Sequence, residues 1–267
     1  MKINLNRLLF FLIMEFRFID TGVNAGSMNM AIDEALLSSK KNVLRFYRWK
    51  PACLSIGYFQ STQIINLKKL NDVDIVRRLT GGNAVLHDKE LTYSVVIDEK
   101  EMPKSVIESY KIISKGLLQG LKNLGLKPVM NEDVKKESKS AVCFNDPSWY
   151  EILVNGKKIV GSAQKRIDGK ILQHGAVLID IDVEKYCSLF NNCNEELVEK
   201  LKNRMTSIND ELNEKVDYDK VKEAMKKGFE EALGIEFEDS QLSKEEMRLA
   251  GKLCKEKYSA KKWNFYR

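Results

Sequence analysis

The chain is poor in the residues that build metal and disulfide sites. It has only two histidines, His87 and His174, and five cysteines (Cys53, Cys143, Cys187, Cys193 and Cys254) with no C-x-x-C among them. An odd number of unpaired cysteines argues against a disulfide framework and against a structural zinc site, and it suits a reducing cytoplasm. A long hydrophobic run is also missing. The opening MKINLNRLLFFLIM carries Lys2, Arg7 and a short apolar stretch that resembles a signal peptide, but no small-x-small cleavage site follows it. The stretch is far short of the ~20 residues that span a bilayer. Met14 then opens MEFRFIDTG, which reads as a first strand, so residues 1–13 are expected to be a loose tail or an over-long start with no membrane role. Charge of one sign is lacking too: 44 lysines and arginines are interleaved with 38 acids, for a net charge of +6. No basic stripe alternates with aromatics, so a nucleic-acid partner is not expected. The mild basic excess favours an acidic macromolecular partner instead.

What is present is ordinary globular composition, 43% hydrophobic and 31% charged over 267 residues, enough for one large domain or one domain with an appendage. Period-two and apolar runs predict strands at about 15–20, 43–48, 54–59, 74–78, 84–87 and 91–97, and later near 149–155, 157–165 and 170–181. The run SMNMAIDEALLSSKK predicts a first helix with Ser27 as its N-cap. A second helix is expected over 103–124, with Pro103 in its first turn and Gly125 just past its end. After about 183 the pattern changes to charged helical segments, 183–203, 217–233 and 243–257, with one short strand at IEFE. Ser243 followed by Glu246 predicts a capping box. Neighbouring strands without regular βαβ alternation imply a mixed sheet in an α/β or α+β layer fold. The expected division is a tail (1–13), a catalytic domain (14–185) and a mostly helical C-terminal region (186–267).

Three segments carry chemistry. In RRLTGGNAVLHDKELTYS, Arg78 ends a strand and Gly81 and Gly82 make a turn that a ligand can approach closely; His87 follows on the next strand. Arginine donors and exposed backbone N–H groups together suit a carbonyl or phosphate. In VNGKKIVGSAQKR, the NG dipeptide predicts a hairpin, and strand alternation places Lys158, Val160 and Ser162 on one face with Ile159 and Gly161 on the other. Lys158 is then either an ordinary hairpin lysine or a cation aimed into a cleft. In AVCFNDPSWYE, Cys143 is either a small buried hydrophobe or a nucleophile, which a nearby cation would activate by lowering its pKa from ~8.5. Local reasoning leaves both readings open.

Taken in order, RFIDTG, NMAIDEALL, LSIGYFQ, RRLTGGNAVLHDKELTYS, CFNDPSWYEILVNGKKIVGSAQKR and LQHGAVLIDID resemble the lipoate–protein ligase and octanoyltransferase family. The resemblance runs from about Met14 to the C-terminal WNFYR and is strongest to the octanoyltransferases of Gram-positive bacteria. It implies a biotin/lipoate protein ligase-like fold, a mixed sheet flanked by helices with a helical C-terminal appendage. It implies transfer of an octanoyl group from acyl carrier protein to a lysine of a lipoyl-domain protein such as the glycine-cleavage H protein, with no cofactor and no metal. Cys143 matches the family's acyl-thioester cysteine, and Lys158 the lysine that lowers its pKa. Arg78, Gly81, Gly82, His87, Gly161, Ser162, Gln173, His174 and Gly175 match substrate-binding positions.

Two positions depart from the family pattern. Asn83 stands where many members have a third glycine, and its tolerance of left-handed geometry is expected to keep the turn. Asp168 stands where the ligases usually carry a lysine, with Lys165 and Lys170 nearby. The competing readings are an ATP-dependent lipoate–protein ligase, an amidotransferase acting between lipoyl domains, and a non-catalytic acyl-binding protein.

Overall fold

Strand alternation decides which layer each side chain meets. In β2 (Asn42–Trp49), Leu44 and Phe46 point to one side while Val43, Arg45, Tyr47 and Trp49 point to the other. The computed structural model describes residues 15–131 and 151–266 and repeats this partition across a mixed sheet. Among the described residues, eight strands lie in the order β11 (Phe237–Ser240), β1 (Phe16–Asn24), β2, β6 (Glu90–Asp98), β10 (Lys170–Leu178), β9 (Lys157–Ile167), β8 (Ile152–Val154) and β7 (Val129–Met130). β1 is parallel to both its neighbours, and every pairing from β2 to β7 is antiparallel. Three further strands form a small sheet in the order β4 (Val73–Arg77), β3 (Ala52–Ile56), β5 (Val85–His87).

The two faces of the large sheet have different covers. On the first, α2 (Val106–Asn123) and α6 (Tyr218–Leu233) pack on Phe18, Leu44, Tyr93, Val95, Val160 and Val177. On the second, α1 (Gly26–Ala35) and α7 (Lys244–Leu253) cover Val43, Tyr47, Val96 and Leu172. Beside them the small sheet, α3 (Val183–Ser188) and α4 (Glu195–Arg204) cover Ala176 and Leu178. This second face, with the small sheet poised over it, is the one that holds the candidate site. No described helix is long and apolar enough to cross a membrane.

Several boundaries differ from the sequence expectations for local reasons. α1 is capped by Ala25, not Ser27, because the Asn29 amide already bonds the Ala25 carbonyl one turn back. α2 starts after Ser105, whose hydroxyl accepts the Glu108 amide, so Pro103 precedes the helix and does not sit in its first turn. Gly125 closes it at φ +89°, as a left-handed terminator should. The expected helix over 183–203 is two helices, α3 and α4, with Asn194 capping the second. The capping box at Ser243 and Glu246 is present in both directions.

The segment after 185 is mostly helical and is woven into the same layers. β11 extends the large sheet beside β1, α6 lies along α2, and α7 lies along α1. Two shorter helices, α5 (Ile208–Leu212) and α8 (Lys261–Asn264), complete it. The buried Arg77 guanidinium donates to the carbonyls of Trp263 and Asn264, tying the C-terminal turn to β4. The α2–α6 contact is a close one. A Cβ on Gly228 would stand 2.2 Å from the Gly120 nitrogen. Gly228→Ala therefore tests the packing: helix propensity alone would favour alanine by about 1 kcal/mol, whereas overpacking costs about 1–3 kcal/mol. Urea unfolding should show net destabilisation; equal or greater stability would mean that the helices are not in this close contact.

Candidate active site

The glycine turn is built from below by Arg78. Its guanidinium donates to the Gly81 and Asn83 carbonyls, both at 2.8 Å, and to the Ser55 carbonyl and Oγ at 3.1 and 3.2 Å. With these carbonyls drawn inward, the turn stands on the end of β3, where a Cβ on Gly57 would lie 1.8 Å from the Gly82 oxygen. Gly82 takes φ +89°. Asn83 does not adopt a positive φ, so the left-handed step expected of it is taken by the glycine before it. His87 is held on every side. Its ring stacks on Trp49 at 4.1 Å between centroids, Nδ1 meets Glu90 Oε1, and Nε2 meets Ser55 Oγ at 2.7 Å. Ser55, His87 and Glu90 thus follow the order of a catalytic relay, but Ser55 is only 1% exposed and is bonded by Arg78, so the array acts as a strut beneath the turn.

A second buried array fixes the turn to the large sheet. Asp33 from α1 accepts hydrogen bonds from Arg45 Nη1 at 2.5 Å, Ser94 Oγ at 2.9 Å and the Tyr47 hydroxyl at 2.9 Å. Arg45 is fully buried and also donates to the Asn29 side chain, one helical turn before Asp33. His174 Nδ1 lies 2.9 Å from Asp33 Oδ2, and Nε2 lies 2.7 Å from Thr80 Oγ1. Burial pushes the Asp33 carboxyl up, but the Arg45 guanidinium and the bond from His174 outweigh it and hold the group below the usual carboxylate range. Burial lowers the His174 imidazole below its ordinary value despite the opposing pull of Asp33. An ionised Asp33 can only accept, so a neutral His174 carries its proton on Nδ1 and accepts the Thr80 hydroxyl at Nε2. In this state His174 is a strut, with both nitrogens engaged inside the protein.

Lys158 reaches the second face through a β-bulge. Ile152 pairs with Val160 and the next residue, Leu153, with Lys158, leaving Ile159 as the extra residue. Ile159 and Val160 both join the core under α2 and α6, and Lys158 is turned to the opposite face. Strict alternation, which grouped Lys158 with Val160 and Ser162, fails here for that reason. The turn feeding the bulge is the expected Asn155–Gly156 hairpin, with φ +49° and +78°. Lys158 Nζ lies 2.6 Å from Glu151 Oε1, and the two side chains are 5% and 8% exposed. Removing one partner from such a buried pair typically costs about 3–5 kcal/mol.

The sheet thus sorts the remaining predicted residues. Arg78, Gly81, Gly82, His87, His174 and Lys158 belong to the second face or to the small sheet above it, and Gly161 pairs with Ala176 on that side. Ser162, Gln173 and Gly175 lie on the first face. There Gln173 donates to Tyr93 OH, which donates to Ser162 Oγ, and Gly175 pairs with both Tyr93 and Ser162. Lys165 lies over the Tyr58 ring at 4.5 Å, Lys170 pairs with Asp98, and Asp168 occupies the left-handed β9–β10 turn. Cys143 lies outside the described residues. Of the other cysteines, burial pushes the Cys53 thiol well up and Cys187 up to about 12, so both are held as thiols. Among the described residues no group of three or more histidines, cysteines and acids is placed to hold a metal ion.

Glu151, Asp33, Arg45 and Asn29 did not stand out in the sequence. Two signals could have exposed them: polar residues four apart on an otherwise apolar helix, and an arginine alternating in phase with Val43 and Tyr47.

The two-sheet scaffold with helices on both faces and a glycine turn tied onto the large sheet is the fold of a lipoyl protein ligase catalytic domain. The family model described as "Lipoyl protein ligase A/B catalytic domain" matches residues 25–230. Lipoate-protein ligase A bound with ATP superimposes with a TM-score of 0.80 at 28% identity, covering 94% of this chain and 99% of that one. The bi-partite lipoate protein ligase of Thermoplasma acidophilum gives the same TM-score and identity, covering 94% and 96%. The octanoyltransferase LipM of Bacillus subtilis is 45% identical, over 94% of this chain and 98% of that protein. The chain belongs to the lipoyl protein ligase A/B family, on its LipM octanoyltransferase branch.

The lowered His174 sets a pH window. Stability contributed by the neutral ring is present above the unfolded value of about 6.5 and is lost as pH falls from there toward the lower folded value. The corresponding loss from Asp33 begins only below its ordinary 3.8. Thermal unfolding between pH 7.5 and 5 should therefore show a falling midpoint whose slope is smaller in His174→Gln. Parallel slopes in the two proteins would contradict a neutral, buried His174.

Proposed function

We propose that the protein moves an octanoyl group from the thioester of acyl carrier protein to the ε-amino group of a lipoyl-domain lysine, through a thioester on Cys143. The observation that carries this reading is the 45% identity to the LipM octanoyltransferase over nearly the full length of both chains. Octanoyl transfer in lipoate biosynthesis is the activity, an acyl donor and a lipoyl-domain acceptor are its partners, and the glycine-cleavage H protein is the proposed acceptor.

The chemistry suits the residues. A donor thioester and an enzyme thioester are close in energy, so exchange between them needs no ATP. The exchange needs a thiolate, and an ammonium beside the sulfur favours it by opposite charge. Lys158 is a buried ammonium paired with Glu151 on β9, fifteen positions after Cys143 in the sequence. In the glycine turn, whose carbonyls Arg78 draws inward, the Gly81 and Gly82 amides are the candidate donors to the carbonyl oxygen that becomes negative during attack.

The second reading, an ATP-dependent lipoate ligase, draws on the TM-score of 0.80 to lipoate-protein ligase A. The two separate in one experiment. Intact-mass measurement after incubation with octanoyl-acyl carrier protein, without ATP, should show an added octanoyl group that hydroxylamine removes and that Cys143→Ser lacks. A protein that stays unmodified, yet lipoylates a lipoyl domain once ATP and magnesium are supplied, is a ligase.

A further inference from the structure

The acid that closes the Ser55–His87 array uses only one of its two oxygens. Ser55 Oγ accepts from Arg78, so its own proton goes to His87 Nε2, and the His87 Nδ1–H donates to Glu90 Oε1 at 2.5 Å. Thr92 Oγ1, which accepts the Trp49 indole N–H, donates to the same oxygen at 2.5 Å. Glu90 Oε2 is buried and has no hydrogen-bond partner among the described residues. No described lysine or arginine pairs with this carboxyl, and its side chain is only 1% exposed. Buried polar side-chain atoms are ordinarily bonded, so Oε2 calls for a partner from outside the chain.

Glu90 lines a cavity of about 20 Å³ between the start of β6, the end of β10 and α3. That volume holds one water-sized group, and an –NH3+ head is of that size. Leu86, Leu178 and Met205 supply apolar walls that suit an alkyl stem. Met205, Ile181 and Asp182 also line an adjoining cleft of about 450 Å³, which gives the stem a way out. On the rim stand Asp88, Asp180 and Asp182; Lys89 pairs with Asp180, and Lys185 with Asp88. With Glu90 the four acids outnumber the two lysines, so the cavity favours a cation. We propose that it binds a primary alkylammonium, whose –NH3+ group donates to Glu90 Oε2. The head answers the unused oxygen and the acidic rim, and the stem answers the apolar walls. Two sources carry this chemistry, a free alkylamine and a lysine side chain of a partner protein. The pocket is independent of the octanoyl-transfer reading.

The probe is n-butylammonium, followed by saturation-transfer NMR with the full chain. The wild type should bind it, and 1-butanol, a neutral chain of the same length, should not compete. Glu90→Gln keeps an acceptor for His87 and Thr92, which leaves its –NH2 group toward the cavity as a second donor. Its affinity for the probe should fall about 10-fold or more, the usual worth of a hydrogen bond to a charged group. Leu86→Phe, on the half-buried wall, fills the cavity while leaving the bonds of Glu90 in place, and it should abolish binding. Thermal unfolding shows whether each variant is folded. If the wild type gives no signal, if 1-butanol competes equally, or if a folded variant of either kind binds as the wild type does, the cavity is not an ammonium site. Octanoyl transfer separates the sources. A rise in the KM for the lipoyl domain at unchanged kcat, with added n-butylammonium, assigns the pocket to a lysine side chain; an unchanged KM assigns it to a free alkylamine. If the protein transfers no octanoyl group yet binds n-butylammonium through Glu90, the transfer reading falls and the pocket stands.

Discussion

An ammonium cannot be placed inside a protein without a counter-charge, and the arrangement of the site follows from how Lys158 obtains one. Its position on β9 would by simple alternation drop it into the apolar layer under α2 and α6. One extra residue, Ile159, shifts the register so that Lys158 turns away from that layer and meets Glu151. The bulge converts a hairpin lysine into a buried, oriented cation.

The same device appears a second time, with a different outcome. Arg45 is buried beneath α1, and Asp33 with Asn29 surrounds its charge. Asp33 then passes the constraint on through His174 to Thr80, at the foot of the glycine turn. Arg78 holds the turn from the other side through the Gly81 and Asn83 carbonyls. The turn is held through its carbonyls and its flanking threonine. The first ion pair fixes a cation on β9, and the second ties α1 and the large sheet to the glycine turn.

Much of this was legible before any coordinates. The apolar and period-two runs marked every described strand but the two-residue β7, the Asn155–Gly156 hairpin and the Ser243 capping box were read at the right residues, and the ordered motifs pointed to the ligase-like fold. The failures share a physical cause. Alternation is a rule about ideal strands, so it misplaced Lys158 at the bulge. Alternation along β10 sets His174 on one face of the large sheet and Gln173 and Gly175 on the other. Motif matching groups residues by sequence, whereas a sheet divides neighbours between two layers. The buried partners Glu151, Asp33 and Arg45 stayed hidden because a charged residue in a sequence is ordinarily a solvated one. Only tertiary packing shows which charges are paired indoors.

The central claim is that Lys158 exists to make Cys143 a thiolate. The direct measurement is the pH dependence of Cys143 alkylation by iodoacetamide, followed by mass spectrometry of the Cys143 peptide, in wild type and Lys158→Ala. Each unit of pKa is about 1.4 kcal/mol of stabilisation of the thiolate, and the loss of a buried ammonium should move the midpoint upward by a measurable part of that or more. An unchanged midpoint in a folded Lys158→Ala protein would contradict the account and remove Lys158 from the mechanism.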